Sequence, residues 1–419
     1  MLVVGRAQPS FSKGNNLFIY KAAVVGGGAM GAGIAQVISY SGLPVVLREV
    51  NEDLAQKALA SIRKVYQGRV DKGKMSASEM EAKMALVTVT TDIGALKDVD
   101  LVIEAVPEKL EIKKKIFQEL DAALPEQAII ASNTSALSIS ALGAVTKRPE
   151  KVVGIHFFFP AHVMKLVEVI PGLATSEETI ADSVAFCEGL RKIPVRVNEC
   201  AGFLVNRLLM PYLNEAAFCA EEGTPLKEID QAMVEFGFPM GPFILVDTIG
   251  LDICHDVVGI LLAEYGRRMT PAALWEGVYK LGRFGVKTGA GFYDYKGEGD
   301  KAVENALENA RKSAFGGKVS FSPNRLLLAM INEAALCIQE KVASPSDIDV
   351  AVLAGIGFPQ AKGGVLQYAD EIGIDKVLAE LESLCKVYGD RFFPAPIIRR
   401  MVLAGFLGKK TKRGFLEHT

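Results

Sequence analysis

The chain has 419 residues, of which 50% are hydrophobic and 23% are charged, and its formal net charge is −2 at pH 7. This length predicts two or three folded domains, and the composition excludes an intrinsically disordered protein. The near-neutral charge gives no electrostatic basis for nucleic acid as a partner.

The distribution of cysteine, histidine and apolar residues indicates a cytoplasmic protein. The six cysteines form no CxxC pair and only four histidines are present, so we expect reduced thiols and no metal site. Residues 1–20 lack the pattern of a secretory signal. The longest uncharged stretch, 22–47, is interrupted by six glycines and a proline, which favours a glycine-rich turn over a membrane span.

A glycine-rich motif follows the first predicted strand, residues 21–25, and opens a helix that is predicted to run to about Ser41. A first glycine permits a tight turn, a second lets a pyrophosphate approach the backbone, and a third lets helix and strand pack closely. The amide groups at the start of the helix then face the anion. The sequence therefore predicts a dinucleotide-binding loop made of Gly26, Gly28, Ala29, Met30 and Gly31.

An acidic residue stands where this type of site uses one. The second predicted strand, 44–47, is followed by Arg48 and Glu49, and such an acid about 20 residues after the glycine motif binds the ribose hydroxyls. Its negative charge would repel a 2′-phosphate. We therefore expect NAD as the cofactor, with NADP as the alternative because Arg48 is adjacent.

Strands and helices alternate as far as residue 197, which predicts a Rossmann-type, doubly wound parallel sheet. In such a sheet the ligand lies beyond the carboxyl ends of the strands. Three candidate groups lie at such ends: Glu104, residues 132–135, and His156.

Residues 152–170 predict two strands that flank a break at 160–162. In a hairpin centred near residue 162, His156 and Glu168 face each other, within the reach of a cross-strand pair. The carboxylate would hold one imidazole nitrogen and leave the other free to move a proton. The structural alternative is a core histidine that is satisfied by a carboxylate.

Beyond residue 198 the sequence predicts helices, including one over 241–265, and this helical segment recurs further along the chain. Asn206-Arg207 with Asn214-Glu215 returns 118 residues later as Asn324-Arg325 with Asn332-Glu333, which predicts an internal duplication. The predicted domains are an N-terminal arm (1–19), an NAD-binding domain (20–198), a first helical repeat (199–295), a linker with a short helix (296–318) and a second, degenerate repeat (319–419).

Five ordered motifs within residues 20–295 resemble those of the L-3-hydroxyacyl-CoA dehydrogenases. They lie at 26–31, 102–106, 132–135, 154–170 and 201–207. The duplicated helical domain resembles the dehydrogenase part of β-oxidation multifunctional enzymes. Those enzymes carry an enoyl-CoA hydratase domain in front, and because fewer than 20 residues precede the first predicted strand, we expect the dehydrogenase part without it.

The resemblance implies NAD-linked oxidation of a 3-hydroxyacyl-CoA to the 3-oxoacyl-CoA. By motif, His156 is the base that takes the hydroxyl proton and Glu168 orients its imidazole. Ser135 and Asn206 hydrogen-bond the reacting oxygen. Glu104, Lys109 and Lys287 match positions near the nicotinamide end of the cofactor, and Ser61 matches a coenzyme A contact.

One residue departs from the family pattern. Phe159 stands where the family usually has Asn or Ser before a proline. We expect this bulky apolar side chain to reshape the acyl pocket or to weaken the nicotinamide contacts.

Two alternatives use the same fold: an NAD-dependent dehydrogenase of another hydroxy acid, and a catalytically silent NAD-binding protein. Coenzyme A dependence distinguishes the first from the acyl-CoA enzyme, and the presence of all four motif residues argues against the second. Single-repeat relatives pair through the helical domain, so the second repeat implies a monomer, or else a different homodimer. The resemblance leaves open an association with hydratase or thiolase enzymes.

Overall fold

The computed structural model describes residues 19–297, 299–313 and 321–419. Nearly all of the predicted N-terminal arm, 1–19, lies outside the described residues, as does the end of the predicted linker. The chain divides into two compact units. The first contains the residues up to Asn133 together with Ile139–Val163 and Pro171–Pro194, and the second contains Thr134–Ser138, Met164–Ile170 and Val195–Thr419.

An eight-stranded sheet has the strand order β3-β2-β1-β4-β5-β6-β7-β8. Its strands are β1 (Ala22–Val25), β2 (Val45–Arg48), β3 (Val87–Thr90), β4 (Leu101–Glu104), β5 (Ile129–Ser132), β6 (Val152–Phe157), β7 (Leu166–Pro171) and β8 (Ile193–Arg196). Strands β1 to β6 pair in parallel. The sequence prediction of a Rossmann-type sheet is confirmed. Strands β1, β4 and β5 are buried throughout, as apolar runs covered by helices on both faces require.

Six helices belong to the part of the chain that ends at Pro194. They are α1 (Ala29–Ser41), α2 (Glu52–Asp71), α3 (Ala77–Met84), α4 (Leu110–Ala123), α5 (Ile139–Gly143) and α6 (Glu177–Gly189). Side-chain caps fix several starts: the Asn51 side chain accepts the Leu54 N–H at 2.9 Å, and Ser76 and Glu79 form a capping box.

Eleven helices follow in the described part of the second unit, and none of the described helices of the chain is long and apolar enough to cross a membrane. They are α7 (Val205–Glu221), α8 (Leu226–Phe236), α9 (Pro242–Ile249), α10 (Leu251–Tyr265), α11 (Ala273–Lys280), α12 (Lys301–Ser313), α13 (Pro323–Gln339), α14 (Pro345–Ala351), α15 (Val365–Ile372), α16 (Ile374–Tyr388) and α17 (Pro396–Leu403). Short 3₁₀ turns lie at Ile93–Leu96, Pro149–Lys151, Gly266–Met269, Val286–Thr288, Gln360–Lys362, Gly389–Phe392 and Lys409–Thr411, and a π turn lies at Val352–Ile356.

The prediction of one helix over 241–265 was wrong. Helices α9 and α10 meet at Gly250, whose φ of +108° belongs to the region that favours glycine. A Cβ at Gly250 would also lie 2.8 Å from the Asp252 carboxylate. The only proline of 241–265 is Pro242, at the start of the run, so no proline marks the break at Gly250. Gly373, with a φ of +102°, makes the same break between α15 and α16.

The two helical repeats face each other through reciprocal ion pairs. Arg207 on α7 donates to Glu333 on α13 at 2.7 Å, and Arg325 on α13 donates to Glu215 on α7 at 2.7 Å. All four side chains are buried. These are the Arg and Glu of the duplicated sequence motif, so each repeat supplies the partner of the other. The prediction of two tandem helical domains is confirmed.

Candidate active site

The loop 26–31 links β1 to α1. The geometry explains the presence of glycine differently at each position of the motif. Gly26 has a φ of +97°, and a Cβ on it would lie 2.7 Å from the carbonyl oxygen of Ala105. A Cβ on Gly31 would collide with the Gly26 carbonyl. Gly28 is different, because a Cβ there would meet nothing within 4 Å. The space beside Gly28 is therefore open to a ligand.

Helix α1 begins next to this open space without a side-chain cap. Its first amide groups and its dipole therefore favour an anion. Glu49 lies beside the loop: its carboxylate accepts hydrogen bonds from the backbone N–H groups of Gly27 and, at 3.0 Å, Val50. An anion cradle and a carboxylate are thus adjacent, and these residues fit a dinucleotide.

Glu104, at the end of β4, is the centre of a buried hydrogen-bond network. One carboxylate oxygen accepts from the Val106 N–H and from Lys113 Nζ, both at 2.7 Å, and the other accepts from the Ser132 hydroxyl at 2.7 Å. Glu104 and Lys113 are a buried charge pair with exposures of 0% and 1%. The network fixes the carboxyl ends of β4 and β5, and it leaves Glu104 little freedom to move.

Sequence reasoning selected Lys109 and missed Lys113. Lys109 is the exposed residue before α4, whereas Lys113 lies on its buried face. The sequence spacing did indicate that Lys113 is buried. Lys113, Phe117 and Leu120 recur at the helical period and therefore share one face of α4, and Phe117 and Leu120 are apolar. A lysine on such a face requires a carboxylate partner.

His156 lies at the carboxyl edge of the sheet, on β6. The register aligns Val25, Glu104, Ser132 and Gly154 across β1, β4, β5 and β6, and His156 extends two residues beyond this row. The imidazole is 5% exposed, and its ring centroid is 4.5 Å from that of Phe158. It therefore lies at the edge where parallel sheets bind ligands.

Neither Asn133 nor His162 was assigned an individual role from the sequence. The Asn133 side-chain oxygen accepts the Phe157 N–H at 2.8 Å, which fixes the backbone immediately after His156. Asn133 lies inside the motif at 132–135, so its position was available as a signal. In the following loop, burial together with nearby Lys192 and Arg69 lowers the pKa of His162 below its usual value.

In the second unit, three predicted residues lie around the start of α7. Glu168 is fully buried and accepts the backbone N–H groups of Leu204 at 3.1 Å and Val205 at 2.8 Å. It therefore supplies the cap that the sequence of α7 lacks. The Asn206 amide donates to the Ser135 carbonyl at 3.3 Å, so these two residues are in contact.

The remaining predicted residues lie in different settings. The Phe159 side chain is 66% exposed in the loop after β6. Ser61 is exposed on α2 and its hydroxyl donates to the Lys57 carbonyl at 2.9 Å. Lys287 forms an ion pair with Asp252 at 2.5 Å.

Lys410 and Asp375 form the same ion pair in the second repeat, at 2.6 Å. The pairing of Lys287 is therefore a feature of both helical repeats. This recurrence favours a structural role for the Lys287–Asp252 ion pair in addition to the predicted contact with the cofactor.

Two family models cover nearly all of the described chain. Residues 21–200 match the 3-hydroxyacyl-CoA dehydrogenase NAD-binding domain, and residues 202–295 and 321–418 match the 3-hydroxyacyl-CoA dehydrogenase C-terminal domain. The chain belongs to the 3-hydroxyacyl-CoA dehydrogenase family. The match to the NAD-binding domain of this family identifies NAD as the cofactor.

The curated relatives that this chain matches are longer than the chain. A fatty acid oxidation complex subunit alpha from Shewanella amazonensis is 39% identical over 395 residues, which is 92% of this chain and 56% of the relative. The chain thus spans about half of the length of the curated relatives that it matches.

Solved structures agree with the family assignment. A 3-hydroxybutyryl-CoA dehydrogenase from Escherichia coli has a TM-score of 0.83 and 31% identity, covering 93% of this chain and 99% of the other. An (S)-3-hydroxybutyryl-CoA dehydrogenase from Ralstonia eutropha has a TM-score of 0.65 and 39% identity, covering 67% of this chain and 100% of the other.

Proposed function

We propose that this dehydrogenase oxidises a (3S)-3-hydroxyacyl-CoA to the 3-oxoacyl-CoA. The observation that carries the proposal is the position of His156, a buried imidazole at the carboxyl edge of the strands that also present the glycine loop. In this reaction the substrate loses a hydride from C3 and a proton from its hydroxyl group. NAD, when bound, supplies the nicotinamide ring that accepts the hydride.

His156 would remove the hydroxyl proton as general base, and burial would keep bulk water away from that transfer. Contact with Phe158 and the bond from the Phe157 N–H to Asn133 support a fixed ring position. Glu168 would accept a hydrogen bond from the second imidazole nitrogen and stabilise the imidazolium. Its bonds to the start of α7 already hold its carboxylate in one orientation.

Ser135 and Asn206 would donate hydrogen bonds to the substrate oxygen as its charge changes. A preorganised donor of this kind contributes about 3–4 kcal/mol to transition-state stabilisation. Their mutual contact at 3.3 Å supports a joint position around one oxygen atom.

The dinucleotide would lie along the carboxyl edge of the sheet. The amide groups of 26–31 would bind its pyrophosphate and Glu49 its adenosine ribose. Glu104, Lys109 and Lys287 would lie towards the nicotinamide, and Ser61 would contact coenzyme A. The buried network of Glu104 supports an indirect role, in which Glu104 and Lys113 hold the strand ends that the nicotinamide meets.

The decisive assay follows the absorbance of NADH with purified protein, NAD and L-3-hydroxybutyryl-CoA, alongside longer acyl-CoAs and the corresponding free hydroxy acids. Turnover of the CoA thioesters alone is the expected result. Turnover of the free acids at equal efficiency would establish the alternative hydroxy-acid dehydrogenase. NAD binding without any turnover would establish the catalytically silent alternative.

We expect Phe159→Ser to change the acyl-chain preference, to tighten NAD binding, or both. Serine restores a hydrogen-bonding side chain and removes an apolar ring that is 66% exposed. The measurements are kcat/KM across the acyl-CoA series and the Kd for NAD. Leu173→Ser is the matched control, because Leu173 is also an exposed apolar residue. Unchanged chain preference together with unchanged NAD affinity would contradict a role for Phe159.

The second repeat would occupy, within one chain, the surface through which single-repeat relatives pair. The reciprocal Arg–Glu pairs between α7 and α13 support this arrangement. We expect the protein to be cytoplasmic and monomeric. Light scattering during size-exclusion chromatography measures its oligomeric state. A dimer joined through α7–α11 would contradict it.

An association with hydratase or thiolase enzymes would follow from the name of the relative, which is a complex subunit.

A further inference from the structure

An open apolar groove of about 360 Å³ lies on the second repeat, and no candidate catalytic residue lines it. Helix α17, the end of α13 and the final loop form it. Its apolar lining includes Ile338, Ile397, Met401, Phe406 and Phe415. Within the described part of the chain, no helix lies over this groove.

The first repeat has the same face, and there a helix covers it. Helices α11 and α17 are equivalent in the duplication, and α12 packs on α11. Helix α12 buries its apolar side chains Val303, Leu307 and Ala310, which recur at helical spacing. This face of the repeat is therefore one on which an amphipathic helix docks.

The groove differs in shape from the equivalent face of α11 in the first repeat. Gly277 of α11 approaches α12 closely, since a Cβ on it would lie 3.3 Å from Ala306. The equivalent residue of α17 is Arg400, whose side chain donates to the Gln339 amide oxygen at 3.1 Å. A helix in the groove must therefore lie further from α17 and fill the space with larger apolar side chains than Ala306.

The groove also differs in charge. Arg413 lies over the Phe406 ring at 3.9 Å, and the first repeat has Ala290 at the equivalent position. Among the described residues, neither Arg400 nor Arg413 has a carboxylate within ion-pair distance, whereas neighbouring Arg399 pairs with Glu382 at 3.2 Å. Two guanidinium groups without a carboxylate partner thus lie beside an apolar surface. They favour an occupant that carries carboxylates.

We propose that this groove binds an amphipathic helix of a partner protein, with large apolar side chains on one face and carboxylates beside them. This proposed binding is independent of the proposed dehydrogenase activity. It depends on the duplicated face, the apolar lining of the open groove and the two arginines that have no carboxylate partner.

The probe is a fluorescein-labelled peptide with the 13-residue sequence of α12, altered by Ala306→Leu, Arg311→Glu and Lys312→Glu. Its binding to the full chain is measured by fluorescence anisotropy. We expect saturable binding that is at least about tenfold tighter than that of the unaltered α12 peptide, since one charge-assisted contact gives a difference of this size. Equal affinities of the two peptides, or no saturable binding of the acidic one, would overturn the proposal.

Arg400→Glu is expected to weaken the acidic peptide at least about tenfold, since it replaces attraction by repulsion. Ala404→Glu, at an exposed position of the groove, tests the same surface without disturbing a packed side chain. Lys280→Glu on α11 is the matched control and should leave binding unchanged. Thermal unfolding by circular dichroism verifies that each variant is folded.

Two other occupants would overturn the proposal. Self-association of the chain that Arg400→Glu removes would show that the groove binds a second copy. Competition by dodecanoate at concentrations below its micelle formation, with no difference between the two peptides, would show a small acyl anion instead.

Discussion

Replacement of His156 by alanine is expected to lower kcat/KM for L-3-hydroxybutyryl-CoA by about 10²–10⁴-fold, the contribution of a positioned general base. The Kd for NAD should change little, because no atom of the glycine loop or of Glu49 is removed. The measurements are steady-state kinetics from NADH absorbance and NAD binding by calorimetry.

His255→Gln is the control for this experiment. His255 stacks on Tyr279 and pairs with Glu276 in the helical unit, so its loss removes an imidazole from a position that the proposed mechanism does not use. Its kcat/KM should equal that of the unaltered protein. Equal losses in the His156 and His255 variants, or full activity of His156→Ala, would rule out the proposed role of His156.

Glu333→Gln is expected to lower the free energy of unfolding of the helical unit by about 3 kcal/mol, the lower end of the cost of breaking a buried ion pair, because Glu340 remains 2.7 Å from the Arg207 guanidinium group. Glu333 accepts from Arg207 at 2.7 Å and lies 3.1 Å from Arg268, and the Arg207 side chain is fully buried. The substitution leaves that guanidinium group with a weaker compensating charge. Urea unfolding monitored by circular dichroism gives the change.

The duplication supplies a matched variant and an exposed control. Glu215→Gln removes the equivalent charge between Arg325 and Arg391 and should destabilise to a similar extent. Glu276→Gln removes an exposed pair with Lys280, which is worth about 0–1 kcal/mol. If Glu333→Gln were no more costly than Glu276→Gln, the ion pairs between the repeats would not stabilise the fold.

The sheet could be predicted, and so could the edge of the sheet that carries the candidate site, because local sequence patterns determine both. Short apolar strands that alternate with helices require a parallel sheet, and the carboxyl ends of parallel strands coincide. The positions of Gly26, Glu104 and His156 therefore follow from the order of the strands alone. The roles of these residues remain predictions that the proposed assays test.

Features that depend on distant partners could not be predicted in the same way. Lys113 belongs to a helix rich in charge, and only its helical spacing from Phe117 indicates that it is buried. The break at Gly250 depends on a backbone conformation within a segment whose sequence otherwise predicts one continuous helix. The Arg207–Glu333 pair joins residues far apart in the sequence, although the recurrence of both residue types in the duplication was a usable signal.

The reciprocal Arg–Glu ion pairs between α7 and α13 form within one polypeptide. The residues of the two repeats are therefore encoded by separate codons. In a homodimer with a two-fold interface, every substitution appears twice, so both copies of a surface change together. Here Gly277 and Arg400 occupy equivalent positions and differ in size and charge. Two repeats in one polypeptide can therefore keep a helix on one copy of a face and leave the other copy open, as α11 and α17 show.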